Sequence, residues 1–205
     1  MALLFKKEEP HFKLGIWKIE EGIDFFENQI PYRSVSVHEG RQLQQLATRY
    51  LLVHLQDDFP VASIQVIQNG KPFVPNDDLQ FNLSHTSELA VAILSKTHHV
   101  GIDAERINQR VVKVKHKFLG TAELEGLAGN EEAEYLSYLT KYWAIKEAVY
   151  KWWGKGAVDF ANDIRIQKNS LFAEQVVVNF GKEHPVDLAV HCFQLEDHWV
   201  AYVVK

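Results

Sequence analysis

The sequence predicts an α+β fold: two similar α+β halves related by a pseudo-twofold, each a small antiparallel sheet packed on a long helix. Residues 1–99 form the N-terminal half and residues 100–205 the C-terminal half. Three observations predict it. Apolar side chains recur at helical spacing over two long stretches, 38–55 and 131–153. Short alternating or apolar runs with strand character lie before and after each stretch. The chain has 205 residues, 46% hydrophobic and 24% charged. That is ordinary globular composition, enough for one domain or two small ones, and it excludes disorder, collagen and coiled coil. A chain of this size buries roughly 70% of its unfolded surface and needs no disulfide or metal staple to fold. No close sequence repeat is visible, so the duplication rests on the order of elements.

In chain order, Leu14 to Ile19 predicts a short strand. His38 to Leu55 predicts a helix, with Leu43, Leu46, Tyr50 and Val53 on one buried face and Arg41 and Arg49 flanking it. Asp57-Asp58-Phe59-Pro60 ends it. Ile64 to Ile67 alternates as a strand, and Asn69-Gly70 marks a turn before Lys71-Pro72. Phe81 to Ser84 predicts a strand ending at His85. Ala90 to Ser95 and Val100 to Glu105, joined by the polar Lys96 to His99, predict a hairpin. Phe118 to Ala128 predicts a short helix. Glu131 to Trp153 predicts the longest one, closed by Gly154 and Gly156 as C-terminal caps. Strands follow at Ile164 to Ile166, Val176 to Phe180, Leu188 to Phe193 and His198 to Val204.

Charge and cysteine content narrow the function. A net charge of -5 argues against holding nucleic acid by bulk charge, which needs a basic footprint. The lone cysteine, Cys192, excludes an internal disulfide and a Cys-rich zinc site, and fits a reducing compartment. Met1 to Phe5 meets Lys6-Lys-Glu-Glu9 too soon for a signal-peptide core. The longest strongly apolar run, Leu89 to Leu94, falls far short of the ~18 residues a membrane helix requires. A soluble cytoplasmic protein, with neither membrane nor nucleic acid as partner, is the expectation. His98-His99 reads as a turn, and His191, Cys192 and His198 as strand residues without zinc spacing.

Three groups of residues could carry chemistry. On a strand, Asp103 and Glu105 share one face while Ile102 and Ala104 take the other. Two carboxylates on one face repel unless a cation lies between them; alternatively, the strand leaves the core there and both charges are solvated. Glu147 falls on the apolar stripe of Leu139, Trp143 and Tyr150. A carboxylate there needs a partner, either a cation or Lys151 four residues on. Together the three acids suit a hard, oxygen-seeking ion such as Mg²⁺ and point to phosphate chemistry. In Asn82-Leu-Ser84-His85-Thr86, adjacent Ser84 and His85 point to opposite faces, and no G-x-S-x-G elbow is present, so a hydrolase triad is disfavoured. His85 is better placed as a phosphate ligand or as a satisfied, partly buried imidazole.

Gly70-Lys-Pro72, Phe81-Asn-Leu-Ser-His85, Val100-Gly-Ile-Asp-Ala-Glu105, and Trp143-Ala-Ile-Lys-Glu-Ala148 with Lys151 and Gly154-Lys-Gly156 together resemble the 4'-phosphopantetheinyl transferases. Order and spacing are similar to the long, surfactin-synthetase-activating branch. The half-length holo-acyl-carrier-protein synthases, which assemble as trimers, match less well. The resemblance runs from about residue 30 to 165. It departs mildly at Thr86, where a serine is common, and at Ala104, where isoleucine is usual.

The resemblance implies transfer of the 4'-phosphopantetheine arm from coenzyme A to a serine of an apo acyl- or peptidyl-carrier protein, releasing adenosine 3',5'-bisphosphate. It also implies a monomer. Asp103, Glu105 and Glu147 match the family's Mg²⁺ carboxylates. His85 and Lys151 match contacts to the coenzyme A phosphates. Lys71 and Pro72 lie where the adenine packs, with Ser84 beside that pocket. Arg41 corresponds by position alone to a helix that helps hold the 3'-phosphate, and Lys146 is expected at the pyrophosphate. Either Glu147 or Glu123, the latter through a metal-bound water, would take the serine proton. The basic run Arg106 to Lys117 is either a docking surface for acidic carriers or a solvated face. Two other functions fit the same acids: a catalytically silent module that binds carriers or nucleotides, and another Mg²⁺ enzyme such as a phosphatase or nuclease. The acidic balance counts against the nuclease.

Overall fold

Strand β1 (Leu3–Glu9) pairs antiparallel with β2 (Phe12–Lys18) in the computed structural model, which describes residues 2–67, 70–167 and 173–205. The chain divides into two units, Met1–Ile102 and Asp103–Lys205. In the first, the sheet order is β1-β2-β6-β5, with β5 at Gln80–His85 and β6 at Leu89–Ser95. β1 is an edge. Its Lys6–Glu8 and Lys7–Glu9 pairs join residues two apart, on the same side of the strand. Charged residues of this kind protect an exposed edge, and they also mask the strand from an apolar-alternation reading. A short helix α1 (Ile23–Gln29) buries Phe26.

Helix α2 (Glu39–Leu55) packs across β2 and β6. Its buried face is Leu46, Ala47, Thr48, Leu51, Leu52 and Leu55. Leu43, Tyr50 and Val53 are only partly buried, so the true face is turned from the predicted stripe. Gly15 on β2 explains how close the helix comes: a Cβ there would lie 2.9 Å from Leu51 Cδ1. Strands β3 (Gln65–Val66) and β4 (Pro72–Phe73) form a separate two-residue pair. Gly70 has φ 86°, as a turn glycine should; Asn69, the other half of the predicted turn, lies outside the described residues.

β7 (Val100–Arg106) does not form a hairpin with β6, which corrects the sequence reading. β6 lies between β2 and β5, whereas β7 joins the second sheet, of order β7-β11-β10-β9-β8. Four residues of polar turn do not by themselves make two strands pair. The remaining strands are β8 (Ile164–Ile166), β9 (Gln175–Phe180), β10 (Val186–Leu195) and β11 (His198–Val204). Short helices α3 (Arg110–Val114) and α4 (Thr121–Gly126) precede α5 (Glu132–Trp153), which packs on β11 and β10. α5 ends at Gly154, left-handed with φ 66°, whose N–H donates to Tyr150 O. Its buried face holds Leu139, Tyr142, Ile145, Ala148 and Val149, together with two lysines, Lys141 and Lys146. The architecture is thus mixed α+β, each unit an antiparallel sheet against one long helix. Among the described residues, no helix is long and apolar enough to cross a membrane.

Candidate active site on the second unit

β7 and α5 place three carboxylates within electrostatic reach of one another. Asp103 is buried, at 2% exposure, on β7. Its Oδ1 accepts from Lys151 Nζ of α5 at 2.6 Å. Glu105, two residues on, is half-buried and accepts from the indole Nε1 of Trp143 at 2.9 Å. Glu147, one helical turn after Trp143, is half-buried as well. Lys151 therefore bridges from helix to strand. The alternative in which it serves only as the helix partner of Glu147 does not describe this structure, although its charge still favours ionised Glu147.

The electrostatics show a shortage of positive charge. Burial, reinforced by the charge of Asp103, pushes the Glu105 carboxyl up to about 8, against the Trp143 hydrogen bond and the Lys151 charge. Burial and Asp103 likewise push Glu147 up to about 7, with Lys151 opposing. Three acids face one ammonium, and their oxygens are hard donors. A divalent ion of the Mg²⁺ class fits that donor chemistry: it would supply the missing charge, and such ions are usually held by carboxylates together with substrate phosphates and waters.

Lys146 and Glu123 are placed differently from the sequence reading, which put Lys146 at a pyrophosphate. Lys146 is 0% exposed. Its Nζ donates to Phe118 O at 2.7 Å, Phe160 O at 2.9 Å and Glu123 Oε2 at 2.7 Å. An ammonium has three donors, so all are engaged inside the unit. Glu123 is equally committed. Its Oε2 also accepts from the N–H of the N-cap residue Gly120, and its Oε1 accepts from Ile166 N. This pair ties α4, α5, β8 and two loops together.

The other expected residues lie on the first unit. Arg41 is exposed in the first turn of α2. Lys71, partly buried beside Pro72, has its ammonium pKa lowered by burial. Ser84 is buried at 8% exposure on β5 and His85 is exposed at its end, so the two point to opposite sides as alternation requires. Within the basic run, Arg106 pairs with Asp197 at 2.7 Å and Lys115 donates to Tyr135 Oη at 2.8 Å. Val111 and Phe118 turn inward, leaving Arg110, Lys113 and Lys117 exposed. Sequence reasoning missed the Trp143–Glu105 bond. Residues 38 apart carry no local signal of contact.

Against known proteins, the family model described as the 4'-phosphopantetheinyl transferase superfamily matches residues 99–203. The matched part is the second unit with its carboxylates. The chain is 35% identical over 119 residues to the 4'-phosphopantetheinyl transferase gsp of Aneurinibacillus migulanus, covering 58% of this chain and 48% of that protein. It is 33% identical over 123 residues to the 4'-phosphopantetheinyl transferase AcpT of Escherichia coli O157:H7, covering 57% and 60%. The chain thus spans about half to three-fifths of these relatives' lengths. It belongs to the 4'-phosphopantetheinyl transferase superfamily.

Proposed function

We propose that the chain transfers the 4'-phosphopantetheine arm of coenzyme A to a serine of an apo carrier protein, with Mg²⁺ held by Asp103, Glu105 and Glu147. The observation that carries this reading is that three carboxylates on β7 and α5 lie within electrostatic reach of one another and of Lys151, which bonds Asp103, inside the stretch that matches the family. When bound, Mg²⁺ would offset the charge of the diphosphate and draw electron density from the phosphorus under attack. Lys151, already beside Asp103, adds a positive charge for the same diphosphate. His85, Lys71, Pro72 and Ser84 are kept as coenzyme A contacts on the strength of the motifs they belong to, and Arg41 on its position alone.

The serine oxygen forms a bond to the phosphorus bearing the pantetheine arm. The bond from that phosphorus to adenosine 3',5'-bisphosphate breaks, and the serine proton must leave. Glu147 is the favoured acceptor, because both oxygens of Glu123 already accept backbone or lysine N–H groups. The exposed cations Arg110, Lys113 and Lys117 suit an acidic carrier surface. The reading places the enzyme in the cytoplasm, acting as a monomer.

The test is incubation with coenzyme A, Mg²⁺ and a panel of apo acyl- and peptidyl-carrier proteins. The expected result is a phosphopantetheine mass gain on a carrier serine, abolished by a chelator. Carrier binding without any mass gain across the panel would favour a silent module instead.

A further inference from the structure

We propose that Trp143 holds Glu105 in a one-oxygen binding mode and so selects Mg²⁺ over Ca²⁺ at the carboxylate site. The inference rests on the reading of that site as a divalent-cation site.

The indole of Trp143 is fixed from several directions. It stacks on Phe160, with centroids 5.7 Å apart at 22°, and meets Phe118 edge-on at 4.9 Å. The backbone carbonyls of those same two residues accept from the buried Lys146 ammonium. Lys146 thus secures the segments whose rings secure the indole. The indole has one N–H and no acceptor, and that N–H is directed at Oε1 of Glu105 at 2.9 Å. Turning Glu105 to present both oxygens equally would strain or break a hydrogen bond to a charged group. Oε2 is then the oxygen that would lead toward an ion.

Mg²⁺ demands near-octahedral geometry and accepts one oxygen per carboxylate, whereas Ca²⁺ takes six to eight oxygens and often chelates a carboxylate through both. A clamped Glu105 therefore favours the smaller ion. Trp143 is a positioning residue here: it acts through Glu105 and touches no reacting atom. Outer-shell partners of this kind are worth about 10-fold or more in metal affinity.

The experiment is calorimetric titration of Mg²⁺ and of Ca²⁺, separately, into the wild-type chain and Trp143→Phe. Phenylalanine keeps an aromatic ring between Phe118 and Phe160 and removes the N–H. Mg²⁺ affinity should fall about 10-fold, Ca²⁺ affinity should fall less, and the preference for Mg²⁺ should shrink. A second measurement on the wild-type chain guards against a poorly folded variant. The Trp143 indole N–H, followed by ¹⁵N NMR, should stay protected from exchange with Mg²⁺ bound and lose protection with Ca²⁺. Equal losses for both ions, no change in either, or identical indole protection with the two ions would overturn the inference and leave the transferase reading standing. A wild-type chain that binds neither ion would overturn both.

Discussion

The two units solve the same packing problem with different materials. In the first, the buried polar residues among those described are Thr48, Asn82, Ser84 and Ser95, all neutral. In the second they include Asp103, Glu123, Lys141, Lys146 and His198, all ionisable. Both units lay one long helix on an antiparallel sheet. α2 does so in the ordinary amphipathic way, and Thr48 merely donates to Gln44 O and Gln45 O one turn back. α5 breaks the rule, burying two lysines on its core face. Burying a charge is costly unless it is paired, so such a helix is shaped by something besides packing. The unit that carries buried charge is also the unit that carries the candidate site, and that is where departures from simple patterning are expected.

The largest expected effect breaks the second unit's chemistry. Asp103→Ala removes a proposed Mg²⁺ ligand and leaves Lys151 without its 2.6 Å carboxylate. Carrier modification should fall by about 100-fold or more, read as initial rate by intact-carrier mass, while the chain remains folded by circular dichroism. Next is the buried cross-link. Lys146→Met strands Glu123 as an uncompensated charge and should cost about 3–5 kcal/mol in urea unfolding. The double variant Lys146→Met with Glu123→Leu should be less damaged than the single one; equal damage would mean the pair is not acting as a pair.

In the first unit, the counterpart is steric. Gly15→Ala puts a methyl 2.9 Å from Leu51 Cδ1 and should cost about 1–3 kcal/mol as overpacking. Thr48→Val, at a neutral buried site whose hydroxyl bonds only to its own helix, should cost about 1 kcal/mol or less. If it cost as much as Lys146→Met, the contrast between the units would fail.

Acidity sharpens the same contrast. Glu105 and Glu147 ionise at about 8 and about 7 in the folded chain, against an ordinary value of 4.5. Their raised values mean that the folded chain retains protons which the unfolded chain has already released. That stabilisation is fully present below 4.5 and is lost as pH rises through about 7 and about 8. Without divalent ions, the melting temperature should therefore decline across this window, and Mg²⁺ should offset the decline by replacing the protons. A melting temperature that is flat over the window, with and without Mg²⁺, would contradict the crowding of the acids.

Much of the fold was legible because periodicity is a local signal. α5, β5 and β6 follow the predicted stretches to within a residue or two. β1 was not legible, because Lys6, Lys7, Glu8 and Glu9 interrupt its apolar alternation. α1 has only seven residues, too few for a helical period to stand out. The face of α2 was misjudged because Ala47, Leu51 and Leu55, spaced by four, were outweighed by the bulk of Tyr50 and Val53. At the site, the acids were legible from strand alternation and helix spacing. Their partners were not, since Lys151–Asp103, Trp143–Glu105 and Lys146–Glu123 join residues 48, 38 and 23 apart. Lys146, expected at the pyrophosphate from its motif, shows its structural role only once the Phe118 and Phe160 carbonyls are seen around it.

The most direct test of the central claim is a crystal structure grown with coenzyme A and Mg²⁺. The account predicts an ion ligated by oxygens of Asp103, Glu105 and Glu147, with the coenzyme A diphosphate against it and Lys151. An ion and diphosphate bound elsewhere, with those three carboxylates turned to solvent or to protein partners, would contradict it.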